Sequence, residues 1–369
     1  MINLQLLIFT NKYVFRVVRK VLAYMSVAVV AVSCGSGNGT EQKDNALQSK
    51  AVEWKLTTPD GYPERIVAID TMDLRNPFVR FDRKSNCYYM VGDGGSMWSS
   101  KDMRVWNGPY NVLDIDTAVW YSSALSVVAP EIHKHNDRYY YLASFERNGE
   151  VVAGFDGNNI TSRSCVALVA DDITGPYRVI DKESELLEPA EVATQPTFFT
   201  DELNAGYMIY THAGEQTGDG SFKIIRFTDD NGRRMGEAFE MFKASEIGWA
   251  EKDDKKQSIM TVESPHLFMT DEGEAGMLFT TLKDGEKVIG VAYTINERGH
   301  WLNGPWVAEQ EPLVKGNVGG ASLFTDYDGT LVMVFHKDTM LNGKKMSIPQ
   351  FMKAESQFKK LETKGYYNF

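Results

Sequence analysis

Five segments of this chain repeat one unit, a short apolar run opened by a Pro or Ala anchor, then a polar turn, then a second apolar run. The first is Arg75-Asn76-Pro77-Phe78-Val79 with Tyr88-Tyr89-Met90-Val91, and the second is Ala129-Pro130-Glu131-Ile132 with Tyr139-Tyr140-Tyr141-Leu142. Gln195-Pro196-Thr197-Phe198-Phe199 with Tyr207-Met208-Ile209-Tyr210 is the third. Glu263-Ser264-Pro265-His266-Leu267-Phe268 with Met277-Leu278-Phe279 follows, and Gly320-Ala321-Ser322-Leu323-Phe324 with Leu331-Val332-Met333-Val334-Phe335 is the last. Each reads as a hairpin of two apolar strands around a turn rich in Asp, Asn and Gly. The anchors Pro77, Pro130, Pro196, Pro265 and Ala321 lie 53, 66, 69 and 56 residues apart. That period fits a four-stranded propeller blade with long loops, whereas a β-sandwich seldom repeats at such length. The expectation is an all-β fold, a five-bladed β-propeller over residues 51–369. Three Gly-Pro echoes, at Trp106-Asn107-Gly108-Pro109-Tyr110, Thr174-Gly175-Pro176-Tyr177 and Asn303-Gly304-Pro305-Trp306, fall where an outer edge strand would begin and a proline is tolerated.

The amino terminus reads as a targeting segment. Lys12, Arg16, Arg19 and Lys20 precede the apolar stretch Val21 to Val32, which is short for a bilayer span. Ala31-Val32-Ser33-Cys34 resembles a bacterial lipobox, so residues 1–34 are expected to be a lipoprotein signal peptide, with Cys34 the lipid-attachment residue. An uncleaved anchor helix is the alternative. Residues 35–50, GSGNGTEQKDNALQSK, form a polar tether. The implied location is exported and membrane-anchored through Cys34, either periplasmic or on the outer membrane or cell surface. Cys87 and Cys165 sit in apolar runs without metal-like spacing and read as two buried thiols. A net charge of -11 repels phosphate backbones, which disfavours nucleic acid as a partner.

In a propeller the first strand of every blade lines the axis. That brings Asn76, Glu131, Gln195, Glu263 and the Gly319-Gly320-Ala321 turn to one pit. Carboxylates and amides beside aromatic rings suit a hydroxyl-rich ligand. His212 and His266 follow apolar runs and reach toward the rim, and Trp98, Trp120, Tyr121 and Trp249 lie in loops where stacking on a sugar ring competes with plain packing. His133 and His135 alternate along a strand with no acidic or Cys partner at metal spacing, so no metal site is expected there.

The stretches LRNPFVRFDRKSNCYYMVG, APEIHKHNDRYYYLASF, ATQPTFFTDELNAGYMIYTH, MFKASEIGWA, VESPHLF and NGPWV, with the Gly319 to His336 segment, resemble glycoside hydrolase family 43 in their order and spacing. The resemblance implies a five-bladed propeller acting on arabinose- and xylose-containing plant polysaccharides, with inversion through three carboxylates. Inversion needs one protonated carboxyl to release the leaving oxygen and one ionised carboxylate to activate water on the opposite face. By resemblance Glu263 is the general acid, Asn76 stands at the position of the general base, and Gln195 stands at the position of the acid that tunes the first. Two of the three are therefore amides, and an amide has no proton-accepting state near neutral pH. Candidate substitutes are Asp73 and, with more weight, Glu131. The family's Gly-Gly-His turn is Gly319-Gly320-Ala321 here, which weakens the case for an axial calcium; no cofactor is expected. A non-catalytic glycan-binding lipoprotein and a scaffold in a polysaccharide-uptake assembly are the competing readings.

Overall fold

The structure, a computed structural model, describes residues 56–58, 63–115, 126–180, 190–201, 203–227, 234–254, 259–295, 302, 304–357 and 360–369. Five antiparallel sheets account for nearly all of its strands, and in four of them the strands follow chain order from one edge to the other. The innermost and second strands are Phe78–Asp82 and Cys87–Val91 in blade 1, Val128–His135 and Arg138–Ala153 in blade 2, and Ala193–Thr200 and Gly206–His212 in blade 3. In blade 4 they are Glu263–Met269 and Ala275–Lys283, and in blade 5 Val318–Thr325 and Leu331–Leu341. Each innermost strand touches that of the next blade, and the fifth touches the first, so the ring closes. The five anchors found in the sequence are the five entries to this ring.

The apolar runs of the second strands follow from this arrangement. A blade is covered by a neighbour on both faces, so alternate residues serve opposite interfaces and the middle of the strand is apolar on both sides. In blade 2, Tyr139 and Tyr141 pack into the cluster shared with blade 1, while Tyr140 and Leu142 pack into the one shared with blade 3. Tyr89 and Val91 face blade 2, whereas Tyr88 and Met90 face Phe324, Val334 and Phe351 of blade 5. Clusters of the same kind join blade 3 to blade 4 and blade 4 to blade 5. Cys87 and Cys165 are buried free thiols within these layers.

The Gly-Pro echoes mark the fourth strands. Trp306–Ala308 and Arg178–Val179 begin just after Pro305 and Pro176. Blade 1 departs from the expectation: its Gly108-Pro109 lies inside strand Val105–Tyr110, and a further strand, Arg65–Ala68, pairs outside it. Blade 1 therefore has five strands, and its proline is not at the rim.

Candidate active site

At the mouth of the ring every innermost strand makes the same distortion. Asn76, Ala129, Gln195, Ser264 and Gly320, each directly before an anchor, have φ of 50, 46, 53, 53 and 64°. In blades 2 to 5 the pairing register slips across these residues, the mark of a β-bulge. A left-handed non-glycine residue costs about 1–2 kcal/mol, so something must hold four of these five in place. At four blade junctions it is a side chain on the second strand of the preceding blade, or in the turn just after that strand in blade 1, which accepts the N–H of the left-handed residue. Asp93 Oδ1 takes Ala129 N–H at 2.8 Å, and Ser144 Oγ takes that of Gln195 at 3.3 Å. Thr280 Oγ1 takes Gly320 N–H at 3.1 Å, and His336 Nδ1 takes Asn76 N–H at 3.2 Å, which closes the ring.

The fifth junction is made differently. Ser264 N–H goes to Oε1 of Gln195 itself at 2.5 Å, and the Ser264 hydroxyl joins it at 3.1 Å. Thr211, whose place on the second strand matches that of Thr280, has a buried Oγ1 without a partner. Accepting two hydrogen bonds fixes the amide of Gln195 with its oxygen toward Ser264, which turns its NH2 group elsewhere. Gln195 thus positions the residue that follows Glu263.

Glu263 and Gln195 line one cleft of roughly 370 Å³ together with Arg163, Thr194, Glu215 and Thr261. Asn76, Glu131, Gln195, Ser264 and Gly320 line a narrower axial cavity, so Gln195 borders both. Lys287 Nζ donates to Glu263 Oε2 at 2.5 Å, a pairing the sequence reading missed because only the strand register places Lys287 there. Asn76 is buried; its Nδ2 donates to Asp93 Oδ1 at 3.0 Å. Its Oδ1 lies 2.5 Å from where a Cβ on Gly320 would stand, so a glycine with φ of 64° is what lets blade 5 approach blade 1.

Asp93 is the other residue that the sequence reading missed. It lies across the blade 1 hairpin from Arg75, its N–H donating to Arg75 O at 2.9 Å, in a Gly-Asp-Gly-Gly turn that looks like any loop. Burial raises its pKa and the Glu263 charge adds to that, against the lowering effect of the bonds from Ala129 and Asn76.

Glu131 sits two residues further down its strand than the left-handed position, level with Phe78, Thr197 and His266. Its Oε2 accepts from Thr197 Oγ1 at 2.6 Å and from His133 Nε2 at 2.7 Å, and His266 Nδ1 lies 3.9 Å from Oε1. Burial would raise its pKa, but His133 and His266 outweigh burial and hold it down at about 2. So low a pKa makes a weak base, which argues against Glu131 as the substitute. Asp73 caps Ser347 N–H and pairs with Lys344 at the seam of blades 1 and 5.

Of the aromatic candidates, Trp98 is buried in the cluster between blades 5 and 1. Trp249 packs near-parallel to Phe279 at 6.3 Å and gives its Nε1–H to Glu309 O, so both tryptophans are packing residues rather than sugar platforms. His266 is buried and takes Leu323 N–H on Nε2, which removes it from the rim. His212 stays beside the cleft, 3.0 Å from Gln216 Oε1 and between two cleft-lining residues, Thr211 and Ala213. Trp120, Tyr121 and Cys34 lie outside the described residues. Among the described residues no group of three or more His, Cys, Asp or Glu side chains is placed to hold a metal ion.

The sequence profile described as Glycosyl hydrolases family 43 matches residues 69–351. Among solved structures, the endo-arabinase from Bacteroides thetaiotaomicron VPI-5482 superposes with a TM-score of 0.67 at 23% identity over 82% of this chain and 99% of that one. The endo-1,4-beta-xylanase from Bacteroides thetaiotaomicron VPI-5482 gives 0.59 at 17% identity, over 80% of this chain and 95% of that one. A thermostable family-43 glycoside hydrolase gives 0.62 at 16%, over 80% and 95%. No curated protein matches the chain in sequence.

Proposed function

The chain belongs to glycosyl hydrolases family 43, and from that premise we propose that it hydrolyses arabinose- or xylose-containing plant polysaccharides with inversion, using Glu263 as general acid. The observation that supports this most is that Glu263 and Gln195 share one cleft while Asn76 and Gln195 share the cavity beside it, so the three positions meet at one mouth. Names of structures similar to this chain, an endo-arabinase and an endo-1,4-beta-xylanase, suggest the sugar class. An amide at that position leaves the base's task to another group; general-base assistance contributes about 10²- to 10⁴-fold. Hydrolysis of aryl α-L-arabinofuranosides, aryl β-D-xylosides and the corresponding oligosaccharides, followed by NMR of the released anomer, tests the reading. Glu263→Ala is expected to abolish turnover. Retained configuration, or full activity in Glu263→Ala, would contradict it.

One observation favours a second reading, a non-catalytic glycan-binding lipoprotein: the Gln195 oxygen is committed to Ser264 and the Asn76 amide to Asp93, as in a site kept for shape. Calorimetric titration with arabino- and xylo-oligosaccharides then shows heat without product, and the heat is lost in Glu263→Ala. Heat with no plant glycan at all would leave a scaffold role. Export and anchoring through Cys34 complete the proposal; labelling with radioactive palmitate that persists in Cys34→Ala would remove that part.

A further inference from the structure

We propose that Asp93 is the catalytic base of this chain, the residue that takes a proton from the attacking water. This inference rests on the glycosidase reading above. Three observations carry it. First, Asp93 is placed where the missing charge is needed: its Oδ1 lies 3.0 Å from the Nδ2 of Asn76, the residue standing at the base position. Second, Oδ1 is saturated and fixed, since it also takes Ala129 N–H at 2.8 Å from the next blade, while no described residue donates to Oδ2 and the residue as a whole is half-buried. One oxygen is thus an anchor, and the other is left without a described protein donor, as the proposed role requires. Third, Asn76 lines the axial cavity with Gln195, and Gln195 also borders the Glu263 cleft, so the Asn76–Asp93 pair stands beside the site of the general acid.

On this geometry Asn76 has a task of its own. An amide cannot accept the proton, but its Nδ2–H orients Asp93, so it acts as a positioning residue. In the reaction, the water oxygen forms a bond to the anomeric carbon while the bond from that carbon to the leaving oxygen breaks. The water proton passes to Asp93 Oδ2, and the Glu263 proton passes to the leaving oxygen. Exchange with solvent then returns Asp93 to the carboxylate and Glu263 to the acid, so charge and protons balance over the cycle. Burial strengthens Asp93 as an acceptor by raising its affinity for a proton.

The test is Asp93→Asn, whose side-chain carbonyl still accepts Ala129 N–H, so the blade 1 to blade 2 junction is kept and an unchanged melting curve can be verified. With aryl arabinosides or xylosides the variant is expected to lose about 10²-fold or more in kcat with KM little changed. Sodium azide, a nucleophile that needs no base, should recover turnover and yield a glycosyl azide of inverted configuration, which a purely structural role would not produce. Adding Asn76→Asp to Asp93→Asn puts a carboxylate back within about one hydrogen-bond length and should recover at least tenfold. Wild-type turnover that survives in Asp93→Asn overturns the assignment and leaves the glycosidase reading standing. A wild type that binds oligosaccharide in the calorimeter but releases nothing overturns the assignment and moves the protein to the binding reading. A wild type that neither binds nor cleaves overturns both.

Discussion

His336 is the residue whose chemistry sets how the ring tolerates acid. Burial, helped by the neighbouring Arg75 charge, pushes its pKa down to about 3. It must stay neutral, because Nδ1 is the acceptor for Asn76 N–H, the bond that closes blade 5 on blade 1. In the unfolded chain a histidine titrates near 6.5. Between about 6.5 and 3 the unfolded state therefore binds a proton that the folded state refuses, and stability is lost as pH falls, by about 1.4 kcal/mol per pH unit for one such group. Melting temperatures from pH 7 to 4.5 should decline, and His336→Asn, which keeps an acceptor without the titration, should decline less steeply. Burial lowers the His133 pKa too, against the pull of the Glu131 carboxylate beside it, so this group contributes to the slope that remains. Parallel profiles for wild type and variant would show that His336 is not the group responsible. Glu131 acts in a separate window: its pKa is lowered, so its contribution is present above the unfolded value and fades only as pH drops from about 4.5 toward 2.

The bulge at each strand entry explains what could be read in advance and what could not. Pro77, Pro130, Pro196 and Pro265 were legible because a bulged residue needs no ladder donor, and proline marks such places in sequence. Blade 5 has Ala321 at the equivalent position, after a glycine that carries the left-handed turn without strain. Ala321→Pro should therefore stabilise the protein by about 0.4–1 kcal/mol by restricting the unfolded chain. A higher urea midpoint at unchanged slope checks this; a lower midpoint would mean that the Ala321 N–H is used. Counting from the anchors also separates the site residues: Asn76 and Gln195 precede a proline by one, Glu263 by two, and Glu131 follows one. That count places Glu131 deeper than the others, and grouping all four in one ring overlooked it. Asp93 and Lys287 could not be found that way, since their placement depends on pairing across a hairpin and not on any local pattern. Trp98 and Trp249 went the other way: bulky residues near loops, drawn into packing by neighbours that only the folded ring supplies.

A propeller must also hold its ends together, and here the amino-terminal strand Arg65–Ala68 adds to blade 1 while the carboxy-terminal strand Lys360–Tyr366 adds to blade 5. Among the described residues no strand from one end completes the sheet of the other, so the described seam is made by contacts between the two blades. Besides the apolar cluster and the His336 bond, Leu74 N–H donates to Ser347 O at 2.8 Å, Arg75 reaches both oxygens of Asp338 at 3.3 Å, and the Ser347 hydroxyl donates to Asp338 at 2.6 Å. Burial raises the Asp338 pKa, but the Ser347 bond and the Arg75 charge outweigh it, and the group is held below its usual range. With only 16% of its side chain exposed, Asp338 is a mostly buried carboxylate on which two donors converge. Asp338→Ala strands both, and losing such a partner costs roughly 1–3 kcal/mol. The exposed pair of Lys84 and Asp172 is a control within the same molecule, with 82% and 48% of the side chains open to solvent. Lys84→Ala should cost no more than about 0.5 kcal/mol. Because each blade is buried on both sides by its neighbours, opening one seam exposes surfaces that only the closed ring covers. Unfolding of Asp338→Ala in urea is accordingly expected to remain a single transition with a lowered midpoint, monitored by tryptophan fluorescence and circular dichroism together. Divergence of the two signals would mean that blades 1 and 5 come apart before the rest, and a shift as small as that of Lys84→Ala would assign the closure to the apolar cluster alone.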